Sequence, residues 1–192
     1  MKIDLTYELT RGKIENWIKN FNDKDKILMS TGHLGTHFDV MGKSFSLDYT
    51  ESRGVIFDVS GAGIGEVTAE QIDFEKIQAG DFVLLRTGVS EKFDYGTPDY
   101  NEKFPQISWQ VIEALTEKKI HMIGIDMRGL RHGDEHNKAD NFCAQKNVFV
   151  VENLVNLDKL LNVQGNLTIH VYPVNVKGFS GLPARVVAEI ED

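Results

Sequence analysis

The 192-residue chain is long enough for one domain with a sizeable core, 41% of its residues being hydrophobic. Its 29 acidic against 21 basic residues give a net charge of -8 with no run of Lys or Arg, which argues against nucleic acid as a partner. A single cysteine excludes an intramolecular disulfide. With no apolar leader at Met1–Thr6 and no run of about 20 apolar residues, the chain is expected to be cytoplasmic and to span no membrane.

In chain order, the first segment dense in chemistry is His33-Leu34-Gly35-Thr36-His37-Phe38-Asp39. If residues 36–39 extend as a strand, His37 and Asp39 share a face, and a turn at Gly35 folds His33 back beside them. Two imidazoles and a carboxylate converging from so short a segment suit zinc, manganese or iron(II), with positions left open for water. Val55–Val59 and Phe82–Arg86 read as buried strands, being apolar, β-rich and bounded by glycines. Between them, Gly61, Gly63 and Gly65 depart from the dinucleotide fingerprint, and Glu66 would repel a phosphate, so that stretch is a connection. Thr68–Gln71 reads as a helix start, and Ser108–Lys118 as a helix capped by Ser108, with Val111, Ile112 and Leu115 at helical spacing. A strand over His121–Asp126, a helix over His136–Gln145 and a strand over Val148–Glu152 follow, with Cys143 as a buried structural thiol. A short helix at Leu157–Leu161 and terminal strands Leu167–Pro173 and Ala184–Ile190 complete the chain. The expected architecture is mixed α/β with a substantial sheet and antiparallel pairing at the ends, rather than a doubly wound parallel one.

Three further groupings carry chemistry. His136 and Asp140 lie four apart, on one helical face, where both could approach a metal. Glu152 ends an apolar strand, and a carboxylate turned toward the core there needs a cation. Arg86-Thr87-Gly88 and Asp126 stand at strand ends that could line one pocket, although each alone is a turn or capping residue. His121 and His170 fall in apolar strands and read as satisfied histidines rather than ligands.

On Asp4-Leu5-Thr6, His33-x-Gly35-Thr36-His37-x-Asp39, Leu85–Gly88, Ile123–Asp126, Val151–Leu154 and Gly181–Arg185, the chain resembles the cyclase family of metal-dependent hydrolases, the kynurenine formamidase and isatin hydrolase type. The resemblance implies a swivelling β/β/α fold over residues 1–192, a mixed sheet flanked by helices, and assembly as a homodimer or homotetramer. It also implies hydrolysis of a small-molecule amide, formamide, cyclic imide or lactone, a water ionised by zinc or manganese attacking the carbonyl. By the same resemblance His33, His37 and Asp39 are ligands of a first metal, and Glu152 is a further ligand able to bridge to a second. Lys43 stands where the family has its general-base histidine and is the candidate catalytic group. Asp140 stands where the family's remaining second-metal histidine falls, with His136 one helical turn away, so either is the remaining ligand. The two departures together preserve charge, which predicts that Lys43 pairs with Asp140 or replaces the second metal, leaving one metal per chain rather than two. A lysine in place of the base also leaves open a non-catalytic metal- or small-molecule-binding protein on the same fold. The family's Trp-Pro-Gly substrate loop is absent, and Trp17 falls in a helical run.

Overall fold

In a computed structural model that describes residues 1–191, the chain begins with β1 (Lys2–Asp4), α1 (Arg11–Lys19), α2 (Lys24–Ser30), β2 (His37–Asp39), β3 (Glu51–Asp58) and β4 (Glu66–Val67). It continues through β5 (Phe82–Arg86), α3 (Val89–Lys92), α4 (Pro98–Glu102), β6 (Gln106–Ile107), α5 (Trp109–Glu117) and β7 (Met122–Ile125), and ends with α6 (Asp134–Gln145), β8 (Phe149–Glu152), β9 (Asn166–Pro173) and β10 (Gly181–Glu191). The strands β8, β7, β5 and β3 are neighbours in that order and parallel; β5, β7 and β8 are near-continuous apolar strands buried on both faces, whereas β3 keeps polar, exposed residues at its ends. Antiparallel strands complete the sheet: β2 pairs with β8, β10 with β2, and β9 with both β10 and β3. Because β9 reaches both β10 and β3, the sheet closes on itself, and β1 adds to β10 outside the ring.

Strand alternation divides the interior into two cores. Val83, Leu85, Ile123, Ile125 and Val150 face Val111, Ile112 and Leu115 of α5 and Ala139 and Cys143 of α6. Phe82, Leu84, Met122, Phe149 and Val151 point the other way, against Ile169, Val171, Val186 and Ala188 of β9 and β10. The same alternation fixes the polar positions. Phe38 and Val40 join the second core, so His37 and Asp39 turn to the opposite side, and Glu152, two residues after Val150, faces the helix side as well. The register sets His37 against Glu152 and Asp39 against Val150. A polar face of β2 and β8 thus lies under α6.

The strands expected from apolar runs are all present, with β3 and β10 longer than the runs suggested. Thr68–Gln71 begins no α-helix: a single 3-10 turn, Ala69–Gln71, is closed by the reciprocal Thr68–Gln71 capping box, and Ile72 goes extended to bury its side chain. Leu157–Leu160 is likewise a 3-10 turn. Helix α5 is capped as expected, Ser108 accepting from Val111 N–H. Among the described residues no helix is long and apolar enough to cross a membrane.

Candidate metal centre

Three donors meet where β2 begins. His33 closes a 3-10 turn, and Gly35, at φ 67°, bends the chain into the strand that carries His37 and Asp39. His33 Nδ1 lies 3.1 Å from His37 Nε2 and 3.1 Å from Asp39 Oδ1, and His37 Nε2 lies 3.7 Å from the same oxygen. Donors about 2.0–2.2 Å from a tetrahedral ion stand roughly 3.3–3.6 Å from one another, so the spread of this tripod matches that of a metal site. Each imidazole is held from behind. His37 Nδ1–H donates to Gly35 O at 2.8 Å, which leaves Nε2 as the donor to the site, and His33 Nε2 contacts Ser180 Oγ at 2.9 Å.

The loop that carries the tripod is itself tied down. Asn153, at φ 58°, donates to Gly35 O at 2.9 Å, accepts from Tyr100 Oη at 2.6 Å, and receives the Thr36 hydroxyl on its own carbonyl at 2.7 Å. Glycines let His33 lie flat on β10: a Cβ at Gly181 would fall 2.7 Å from Gly32 O and 2.7 Å from the His33 ring. Gly181→Ala is therefore expected to displace His33 and weaken metal binding by roughly 10- to 100-fold, measured by competition with a chromophoric chelator. Sequence reasoning found the ligand types but not Asn153, Ser180, Tyr100 or Gly181 as their supports, because those partners come from distant segments.

A second group shares Asp39. The Asp39, His136, Asp140 and Glu152 donor atoms all lie within 4.8 Å of one another. His136 Nε2 is 3.2 Å from Asp140 Oδ2 and 3.3 Å from Glu152 Oε1, while Glu152 Oε2 is 3.6 Å from His37 Nε2. Glu152 thus turns one oxygen to each group, and both His136 and Asp140, expected as alternatives, are present together. Gly129, at φ 74°, packs on the His136 ring, where a Cβ would fall 2.6 Å from Nδ1 and Cε1. Among the described residues two buried carboxylate oxygens, Asp39 Oδ2 and Asp140 Oδ1, have no hydrogen-bond partner, and Glu152 Oε1 is met only by His136 Nε2 at 3.3 Å, outside hydrogen-bond geometry. Orphaned anionic oxygens inside a protein call for a cation, and this donor set fits one.

In the metal-free chain, protons take the cation's place. Burial would lower the His37 pKa, but the Asp39 and Glu152 carboxylates raise it to about 9. Contact with Glu152 raises His136 to about 9 against its own burial. Burial, reinforced by Asp39 and Glu152, pushes Asp140 up to about 9. Asp39, despite its burial, is held well below the usual carboxylate range by His37 and His33. The three raised groups bind protons more tightly folded than unfolded, so their contribution to stability is complete only below the unfolded values, 3.8 for Asp140 and 6.5 for the histidines, and is lost as pH rises from there through about 9. Asp39 opposes this only on the acid side, since its contribution is complete above the ordinary value of 3.8. The melting temperature of chelator-treated protein is therefore expected to fall between about pH 7 and 10, by about 2–4 °C for each kcal/mol lost. Metal uptake at neutral pH should release protons. A flat or rising thermal profile over that window would refute this proton inventory.

Lys43 stands apart from the donors, which corrects its expected pairing with Asp140. It is exposed and forms no ion pair with Asp140, which is 2% exposed. Lys43 lines a groove of about 570 Å³ with Phe45, Leu47, Tyr172 and Val176, and none of the six donors borders that groove. The cause is local: after Asp39, Met41 at φ 45° and Gly42 at φ 78° form a tight turn closed by Lys43 N–H to Val40 O, which ends the strand. Position 43 therefore does not continue the ligand face.

The remaining candidates take structural roles. Asp126 and Thr87–Gly88 do meet, Asp126 accepting from Thr87 N–H, Thr87 Oγ1–H and Gly88 N–H at 2.7–2.8 Å, which caps the turn after β5. Arg86 is paired with Asp58 and Glu91. His121 contacts Ser52 Oγ at 2.9 Å and stacks on Tyr49, and His170 contacts Glu189 at 2.9 Å. Cys143 is buried, and burial holds its thiol far from ionising.

A family model described as putative cyclase matches residues 3–131. Kynurenine formamidase of Bacillus cereus is 28% identical over 193 aligned positions, covering 95% of this chain and 86% of that protein. Among solved structures, isatin hydrolase A of Labrenzia aggregata bound to benzyl benzoate superimposes with a TM-score of 0.75 at 21% identity, covering 100% of this chain and 94% of that one. Isatin hydrolase A of Ralstonia solanacearum gives a TM-score of 0.69 at 22% identity, covering 83% of this chain and 73% of that one.

Proposed function

The chain belongs to the putative cyclase family, and on that premise we propose that it is a metal-dependent hydrolase of a small amide, formamide, cyclic imide or lactone. The observation that carries this is the tripod of His33, His37 and Asp39, its donors 3.1–3.7 Å apart and joined through Asp39 to His136, Asp140 and Glu152. His33, His37 and Asp39 would hold the cation, with zinc and manganese the ions suited to that mixture of imidazole and carboxylate. A divalent cation supplies a water whose pKa falls from 15.7 toward about 7 and polarises a carbonyl oxygen. Around it, Gly35 O keeps His37 in the tautomer that presents Nε2, and burial of Asp39 and Glu152 keeps bulk water from competing for the donors.

The tripod loop is bordered by aromatic rings. Tyr95 accepts from Gly35 N–H at 2.9 Å and packs its ring 4.7 Å from Tyr7 and 6.3 Å from Trp17. Such a wall favours a small, flat substrate, and supports aromatic formamides and cyclic imides as the first compounds to test.

The test is turnover of a panel of N-formyl aromatic amines, cyclic imides and lactones by purified protein. Hydrolysis that stops with chelator and returns with metal supports the proposal. Stoichiometric metal binding without hydrolysis of any class would favour the non-catalytic binding protein instead. Because Lys43 stands outside the donor set, Lys43→Ala is expected to leave kcat/KM within about twofold, as for an exposed substitution away from the chemistry.

A further inference from the structure

The two donor groups differ in chemistry. The tripod offers two imidazole nitrogens and one carboxylate, whereas the second group offers three carboxylates and one imidazole. Asp39, Asp140 and Glu152 are each 2% exposed; Asp39 Oδ2 and Asp140 Oδ1 have no partner, and Glu152 Oε1 has only the His136 ring 3.3 Å away, outside hydrogen-bond geometry. Imidazole-rich sites suit zinc, while carboxylate-rich sites suit manganese(II). Zinc is the tighter ion at a given site of either kind, so the difference between the groups lies in how strongly each prefers zinc over manganese.

We propose that this chain builds a mixed centre, in which zinc takes the His33–His37–Asp39 tripod and manganese(II) takes the His136–Asp140–Glu152 group, with Asp39 shared. The proposal rests on the metal-dependent reading above and adds to it the ion that each group takes. Asp140 is its determinant. The aspartate supplies a hard oxygen donor in addition to His136 one helical turn earlier, and its unpartnered Oδ1 is buried among the other donors.

The test uses metal-stripped protein given one equivalent of zinc, then titrated with manganese(II), freed of unbound metal by gel filtration and counted by elemental analysis. One zinc and one manganese per chain are expected, with the six-line electron paramagnetic resonance signal of a bound, isolated manganese. Asp140→His should lower manganese retention at least tenfold while the single zinc stays bound. The wild-type loading tests whether two unlike ions are held, and loss of manganese alone from Asp140→His tests which group holds it. One zinc with no manganese retained, or an equal zinc-over-manganese preference in both groups, would overturn the mixed centre and leave the hydrolase reading standing. A chain that retains no metal at all would overturn both.

Discussion

Replacing His37 by alanine is expected to abolish metal-dependent turnover, with kcat/KM falling at least about 10³-fold, or about 4 kcal/mol of transition-state stabilisation. His37 is the least replaceable member of the tripod. Its Nε2 lies within 3.7 Å of His33 Nδ1, Asp39 Oδ1 and Glu152 Oε2, and its Nδ1–H bond to Gly35 O fixes the ring in that position. Steady-state kinetics with saturating metal distinguish this from a folding defect when paired with circular dichroism. A His37→Ala chain that hydrolysed substrate at near wild-type rates would remove the tripod from the chemistry.

Asp39→Asn should have the widest effect on metal content, because Asp39 belongs to both donor groups. The amide keeps the shape but removes the shared charge and offers one oxygen in place of two. In the wild-type chain, metal at about 1,000 times its Kd is expected to add about 4 kcal/mol of stability, or about 8–16 °C in Tm for a chain of this size. In Asp39→Asn that shift should vanish, together with retention of metal on gel filtration. If the variant kept one tightly held metal and most of the thermal shift, the two groups would not share Asp39 as their common ligand.

Much of the fold could be read locally. Phe82–Arg86 is a strand because its apolar, β-branched run has turn signals at each end, and α5 starts at Ser108 because a serine before a helical apolar stripe satisfies free N–H groups. The failures are as instructive. Residues 68–71 carry a good helix start, yet only one turn forms, because burying Ile72 outweighs a short stretch of local propensity. Lys43 is expected at the site only from the family resemblance, and the Met41–Gly42 turn carries it away from the donors.

By itself the sequence determined the donor types and their local geometry. Strand alternation places His37 and Asp39 on one face, Gly35 permits the bend that returns His33, and helical spacing aligns His136 with Asp140. Only the tertiary structure decided that these local pieces form one centre, because β2 pairs with β8 across more than a hundred residues and α6 packs over both. That pairing sets His37 against Glu152, shuts out water, and leaves three carboxylates without hydrogen-bonding partners for one oxygen each. Burial converts an ordinary polar segment into a cation site, since the cost of an uncompensated charge exists only once solvent is gone.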